Sequence, residues 1–238
     1  MKAAGMLRPM LRPACLLLAL AVVPAAAHAG LLERLSAAAP DADPKVLALA
    51  LQARTCAMAT EGAASASRLA VIDYSRPSTQ TRLWVFDLKR KSLLFAEHVA
   101  HGRGSGDNMA QSFSNREGSH QSSLGLFRTA ETYQGGNGYS MRMDGLEPGV
   151  NDAARDRMIV MHGAPYVDPL AALKQGRLGR SFGCPAVRPQ VARELIDTLK
   201  QGQLLFAYYP DPEWLEGSTL LGCGGRAAAL AGKPAAKG

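Results

Sequence analysis

Apolar and polar positions change their spacing twice along the chain. Residues 31–60 are rich in helix formers: Asp43-Pro44 offers an N-cap followed by proline in the first turn, and Lys45 to Gln52 continues in Val, Leu and Ala. From Arg68 the period shortens to two. Leu69 to Tyr74, Arg82 to Leu88 and Ser92 to Val99 read as three strands, the last two joined by the hairpin-length link Lys89-Arg90-Lys91. Residues 101–122 hold Gly, Ser, Asn and His with few apolar residues and predict a long loop, a kind of segment that is often functional. Ser123 to Thr129 is a further strand, and Gly135-Gly136-Asn137-Gly138 a turn cluster. Arg157 to His162 is a strand with four apolar residues before a histidine at its end. Asp168 to Gln175 is a short helix stopped by Gly176, and Gln190 to Lys200 an amphipathic helix stopped by Gly202. Gln203 to Tyr209 is the last strand. The pattern predicts a mainly β, β-rich α+β fold with a leading helix and short connecting helices.

The ends differ in kind. Residues 1–13 carry Lys2, Arg8 and Arg12 and no acid; an apolar run from Ala14 to Ala27 follows, and Ala27-His28-Ala29 has the small-x-small form of a cleavage site. This is the design of a secretory signal peptide, too short and too interrupted by Pro24 for a comfortable membrane span. The expected organisation is a signal peptide at 1–29, a helical segment at 30–67, a catalytic-type domain at 68–210 and a C-terminal tail at 211–238. The tail's Gly, Ala and Lys content from Gly222 on predicts disorder.

Composition narrows the class. Of 238 residues, 47% are hydrophobic and 20% charged, which is enough apolar material for a core and excludes a highly charged disordered chain. Removing Lys2, Arg8 and Arg12 takes the formal net charge from +7 to +4. That charge is spread out, with no arginine-rich helix and no basic–aromatic stripe, so nucleic acid is a poor partner, whereas an anionic cell envelope suits a mildly basic exported protein.

Cysteines add a constraint. Loss of Cys15 with the signal peptide leaves Cys56, Cys184 and Cys223, an odd number in an oxidising compartment. The simplest partition is a Cys56–Cys223 bridge with Cys184 free; the sequence also allows three reduced thiols.

The candidate chemistry centres on Gly179-Arg180-Ser181-Phe182-Gly183-Cys184-Pro185. Gly183 permits a backbone that aims amides beside the thiol, as a thioester-forming enzyme requires at the oxyanion, and Pro185 holds Cys184 away from helical angles. A buried, inert cysteine in a tight turn is the competing reading. His162, at the end of an apolar strand and followed by Gly163, is the candidate base, with a main-chain carbonyl fixing its tautomer.

His162-Gly163 followed by Ser181-Phe182-Gly183-Cys184 resembles the His-Gly…Ser-x-Gly-Cys signature of the YkuD-like L,D-transpeptidases. His101 to Gly106, Phe113-Ser114-Asn115, Ser122 to Gly125 and Gly145-Leu146-Glu147 resemble the murein L,D-transpeptidase catalytic-domain branch, over about residues 68–210. The resemblance implies a YkuD-like β-sandwich or barrel. It makes Cys184 the nucleophile and His162 the base, with the Gly163 carbonyl orienting the ring. Ser181 with the amides of Gly183 and Cys184 shapes the oxyanion site. The implied substrate is the peptide stem of peptidoglycan, attacked at an L-centre joined to a D-residue, with no metal and no organic cofactor. His101, Arg103, Ser105, Asn115 and Tyr139 are the expected substrate-facing residues. Arg188 is a further one, although Pro185-Ala186-Val187 separates it from the thiol. The alternatives are an L,D-carboxypeptidase on the same stems and a non-catalytic envelope-binding protein.

Two other motifs fail on chemistry. His98 and His101 have metal-like spacing, but on a strand their rings point to opposite faces. Gly102 to Gly106 lacks the Lys-Ser/Thr ending of a phosphate loop.

Overall fold

The computed structural model describes residues 23–60 and 66–223. Two helices lead, α1 (Val23–Ala38) and α2 (Pro44–Thr60). Eight strands follow: β1 (Arg68–Asp73), β2 (Leu83–Asp87), β3 (Ser92–Glu97), β4 (Gly125–Gly135), β5 (Gly138–Gly145), β6 (Val160–Gly163), β7 (Ala186–Val187) and β8 (Leu204–Tyr208). Between them lie α3 (Pro169–Gln175) and α4 (Pro189–Leu199), and α5 (Pro212–Gly217) comes last. The strands form one sheet in the order β3-β2-β1-β8-β4-β5-β6-β7. Pairing is antiparallel except for β1 with β8 and β6 with β7.

The sheet curls because both its faces and its ends are engaged. α4 touches β1, β5 and β6, strands far apart in the sheet order. It buries Leu195, Ile196 and Leu199 in the curl, each worth about 1.5–3 kcal/mol of burial. α2 covers the outside of β1, β8 and β4 with Val46, Leu47, Ala50 and Leu51. Residue Ala100, just past β3, then bridges to Ala186 in β7, its amide donating to the Ala186 carbonyl at 2.8 Å. The two edges of the sheet therefore meet, giving a barrel-like, mainly β fold with few helices, as expected from the strand pattern. Closure also removes open edges that would invite pairing with other chains.

Several boundaries differ from the expectation. The helical 30–67 segment is two helices broken at Ala39 to Asp43, and α1 starts at Val23 and continues through the expected cleavage point after Ala29. The rest of the expected signal peptide, residues 1–22, lies outside the described residues. β5 occupies part of what reads as turn, and β6 begins at Val160 rather than Arg157, because Met158 takes a left-handed conformation (φ 54) just before it. The tail is corrected as well: residues 211–221 are folded. Asp211 caps α5, its carboxylate accepting the Trp214 amide at 2.9 Å, and Trp214, Leu220 and Leu221 are buried. The Trp214 indole and the Ser218 hydroxyl both donate to Glu147, at 3.2 and 2.5 Å. Cys223 is joined to Cys56 by a disulfide with 6.0 Å between Cα atoms, and Cys184 is free. The expected disorder beyond residue 223 falls outside the described residues. Among the described residues no helix is long and apolar enough to cross a membrane.

Candidate active site

The parallel pair β6–β7 sets His162 beside Ala186 and Gly163 beside Val187. Counting back two residues puts Cys184 next to Val160, and the sulfur is found there: the Val160 amide donates to Sγ at 3.4 Å, and the thiol donates to the Met158 carbonyl at 3.6 Å. Strand spacing and rise place the Cα atoms of Cys184 and His162 roughly 8 Å apart. Val160 and His162, two apart on β6, point to the same face, so thiol and imidazole share one side of the sheet.

Ser181 to Cys184 is a turn closed on itself. The Ser181 hydroxyl accepts from the Gly183 amide at 3.1 Å and donates to the Cys184 carbonyl at 2.7 Å. Gly183 has φ +125, and a Cβ there would stand 2.8 Å from the Gln121 carbonyl oxygen and 2.9 Å from Ile159. Glycine is thus required by both conformation and space. Ser181 is a turn-holding residue, and it occupies the Gly183 amide that was expected to face an oxyanion. The amides that face the sulfur are those of Val160 and of Cys184 itself.

His162 is almost fully buried, and its Nδ1 lies 3.0 Å from the Gly163 carbonyl. A carbonyl only accepts, so Nδ1 carries the proton and Nε2 keeps a lone pair. Burial lowers the His162 pKa, against the opposing pull of the Gly163 carbonyl. Burial raises the Cys184 pKa, opposed by the Val160 amide, the Arg157 charge and its own amide. The resting pair is a neutral thiol and a neutral imidazole, an arrangement suited to general-base activation rather than a preformed ion pair.

A polar loop supports the turn from behind. Ser122 donates to the Gly183 carbonyl at 3.0 Å and accepts from the Gly102 amide at 3.0 Å, while the Ser105 hydroxyl accepts from the Ser122 amide at 2.9 Å. Arg157 pins the same loop, donating to the carbonyls of Ser114 and Gln121 and to the hydroxyls of Ser123 and Ser119 at 2.6–3.2 Å. Arg157 carried no signal in the sequence, because an arginine opening an apolar strand reads as an ordinary solvated end; Ser122 stood out only through the family resemblance of Ser122 to Gly125.

The remaining expected site residues scatter. His101 and Ser105 are buried, although Ser105 borders the cleft of about 570 Å³ that Arg103 also lines. His101 Nδ1 lies 2.7 Å from the Arg82 guanidinium and its Nε2 3.3 Å from the Gly106 carbonyl, so it braces the glycine-rich loop. Asn115 turns to the 3-10 turn Asp152–Ala154, donating to Asp152 at 2.7 Å and accepting from Ala153 at 3.1 Å. It faces the groove under α5. Tyr139 donates to Asp197 on α4 at 2.7 Å and lies under Arg193. Arg188 pairs bidentately with Glu97 at 2.8 Å in a cleft of about 680 Å³ at the far ends of β6 and β7. That carboxylate already neutralises the guanidinium charge that a substrate anion would need. Arg103 alone stays on the exposed side of the cysteine turn, over the ring of Phe182.

The L,D-transpeptidase catalytic domain family matches residues 38–208. No curated protein sequence matches the chain. Among solved structures, an L,D-transpeptidase from Mycobacterium smegmatis is 15% identical with a TM-score of 0.36, aligning over 60% of this chain and 59% of that one. L,D-transpeptidase 3 from Mycobacterium tuberculosis is 12% identical with a TM-score of 0.38, over 60% and 61%. This chain spans about three fifths of the length of those proteins. The family match runs from the last residue of α1 to the end of β8 and takes in both the His162-Gly163 strand and the cysteine turn, so the chain belongs to the L,D-transpeptidase catalytic domain family.

Proposed function

We propose that the protein is an exported cysteine L,D-transpeptidase acting on the peptide stems of peptidoglycan through a thioester at Cys184. The observation that carries this reading is the placement of a free, partly exposed thiol against two amide donors, one strand away from an imidazole whose tautomer leaves Nε2 unprotonated. His162 takes the thiol proton as sulfur attacks the carbonyl of the L-centre, with the amides of Cys184 and Val160 nearest the developing oxyanion. Collapse breaks the peptide bond, and His162 returns the proton to the departing amine of the D-residue. The amine of a second stem then attacks the thioester, loses a proton to His162, and releases the thiol as the crosslink forms. The Gly163 carbonyl orients the imidazole, and Ser181 with Gly183 fixes the turn. No step requires a metal or an organic cofactor.

Export is supported by the basic start and apolar run of residues 1–27 and by the Cys56–Cys223 bridge, which suits an oxidising compartment. The deciding experiment incubates the protein with purified muropeptides and reads product masses. A crosslinked dimer is expected, and Cys184→Ser is expected to form none while retaining the wild-type circular dichroism spectrum. A trimmed monomer in place of the dimer would assign hydrolysis, and full activity in Cys184→Ser would end the proposal.

A further inference from the structure

The turn that carries Cys184 also carries Phe182, whose ring is 63% exposed two residues before the thiol. The Arg103 guanidinium lies 4.4 Å above that ring. Its Nε and Nη2 are directed to His120 Nδ1, at 3.3 and 3.0 Å, and the His120 ring packs against Phe182 at 4.7 Å between centroids. The Arg103 amide donates to the Ser181 carbonyl at 2.8 Å, fixing the arginine's own backbone to the cysteine turn. His120 is held in a left-handed conformation (φ 53), which is unusual for a residue other than glycine and clusters at binding sites.

This is an arginine immobilised by an aromatic face and an imidazole nitrogen. Among the described residues no carboxylate pairs with it. Its neighbour Arg180, in the same cleft of about 570 Å³, is by contrast matched to Asp107 at 2.8 Å. Ordering a long side chain costs conformational entropy, and the strong bond that a guanidinium makes to an anion is the one element this stack lacks. His120 takes the Nε–Nη2 edge of the guanidinium, and Nη1 has no hydrogen-bond partner among the described residues. Phe182 stands two residues before Cys184 in the same turn, so their Cα atoms are at most about 7 Å apart, within the offset between a carbonyl under attack and a carboxylate on the same or the next residue of a peptide.

Resting on the reading of Cys184 as the acyl-transfer nucleophile on peptide stems, we propose that Arg103, pre-set on Phe182 and His120, is the receptor for a carboxylate of the stem. Two carboxylates share this chemistry: the terminal one of the D-residue that leaves, and a side-chain one on the residue that is attacked.

The test measures kcat/KM on three synthetic tetrapeptide stems: both carboxylates free, the terminal one amidated, and the side-chain one amidated. One amide is expected to slow the wild type about tenfold or more, as loss of a hydrogen bond to a charged group does, and its identity names the source. In Arg103→Ala and Arg103→Gln the free-acid stem is expected to fall to the rate of that amide, with the penalty for amidation gone. Arg103→Lys, which keeps the charge and loses the planar edge, is expected to fall between. Alkylation of Cys184 by neutral iodoacetamide and the circular dichroism spectrum check the thiol and fold of each variant. A wild type indifferent to both amides overturns the proposal, as does either folded neutral variant that keeps the wild-type preference. A wild type that turns over no stem and forms no acyl adduct overturns the parent reading instead, and this proposal with it.

Discussion

The Ser122 hydroxyl donates to the carbonyl of Gly183 at 3.0 Å and so joins the long polar loop to the turn that presents the cysteine. The same oxygen accepts the Gly102 amide, and the Ser122 amide is itself taken by Ser105. The segment that the sequence predicts as a long loop is therefore a scaffold whose polar groups satisfy one another. Ser122→Ala leaves a buried carbonyl and a buried amide unpaired. It is expected to cost about 1–3 kcal/mol of stability and to slow alkylation of Cys184 as Gly183 loosens. A urea midpoint and an alkylation rate both equal to wild type would remove Ser122 from this role.

The neutral resting pair predicts the pH profile. Burial holds His162 below the ordinary histidine value of 6.5, so the imidazole stays a competent base through neutral pH and fails only in more acid solution. Burial also lifts Cys184 above the ordinary thiol value of 9.0, so unassisted thiolate forms only in alkaline solution. Acyl transfer is expected to be flat near neutrality and to decline only in solution more acid than the ordinary histidine value of 6.5, as His162 protonates. In His162→Ala the acid limb disappears and kcat/KM near pH 7 falls by roughly 10²–10⁴, the range for loss of a general base. Arg157→Ala, removing a cation that favours the thiolate, moves the remaining alkaline rise still higher. An unchanged alkylation rate across pH in His162→Ala would take His162 out of the mechanism.

The legible parts of the molecule were those where one local pattern had one structural meaning. β1 and β2 are buried on both faces and read as continuous apolar runs. Asp168 and Gly176 cap α3 as their residue types predict, Gly176 at φ 75. β5 was hidden because its buried positions are Ser140, Met141 and Met143, none of them a strong strand former, and β7 because two residues carry no period. α5 was lost beside a tail rich in glycine and alanine. At the site, Cys184 and His162 stood out because their neighbours Gly183, Pro185 and Gly163 announce special backbone. The structural roles of His101, Arg157 and Ser122 arise only from contacts across many residues, which spacing does not encode.

His101 predicts a pH-dependent stability unrelated to catalysis. It is fully buried, and burial, with the nearby Arg82 charge, pushes its pKa down to about 4 from 6.5. A depressed folded-state value means that the unfolded chain takes up a proton first as pH falls. Stability is then complete above about pH 6.5 and is lost progressively as pH falls through about 4. The limit of that loss is on the order of 3 kcal/mol. Urea midpoints between pH 7 and 4 are expected to fall less steeply in His101→Gln, which does not titrate. Parallel wild-type and variant slopes would assign the acid sensitivity elsewhere.

The Cys56–Cys223 bridge ties α2 to the chain just beyond α5, across a sequence separation of 167 residues. Restricting so long a loop in the unfolded chain, and holding Trp214, Leu220 and Leu221 against the core, both favour the folded state. Cys223→Ser is expected to cost about 2–5 kcal/mol. The loss should be local in its first stage, with Trp214 fluorescence shifting to the red at lower urea than the far-ultraviolet signal of the sheet, because α5 contributes little to the sheet itself. The cysteine turn leads into β7, whereas α2 packs on β1, β8 and β4. Cys184 in this variant is therefore expected to alkylate at the wild-type rate at low temperature. Coincident loss of both spectroscopic signals would make the bridge part of the global fold, and an unchanged midpoint would show that the buried residues around Trp214 hold the segment without it.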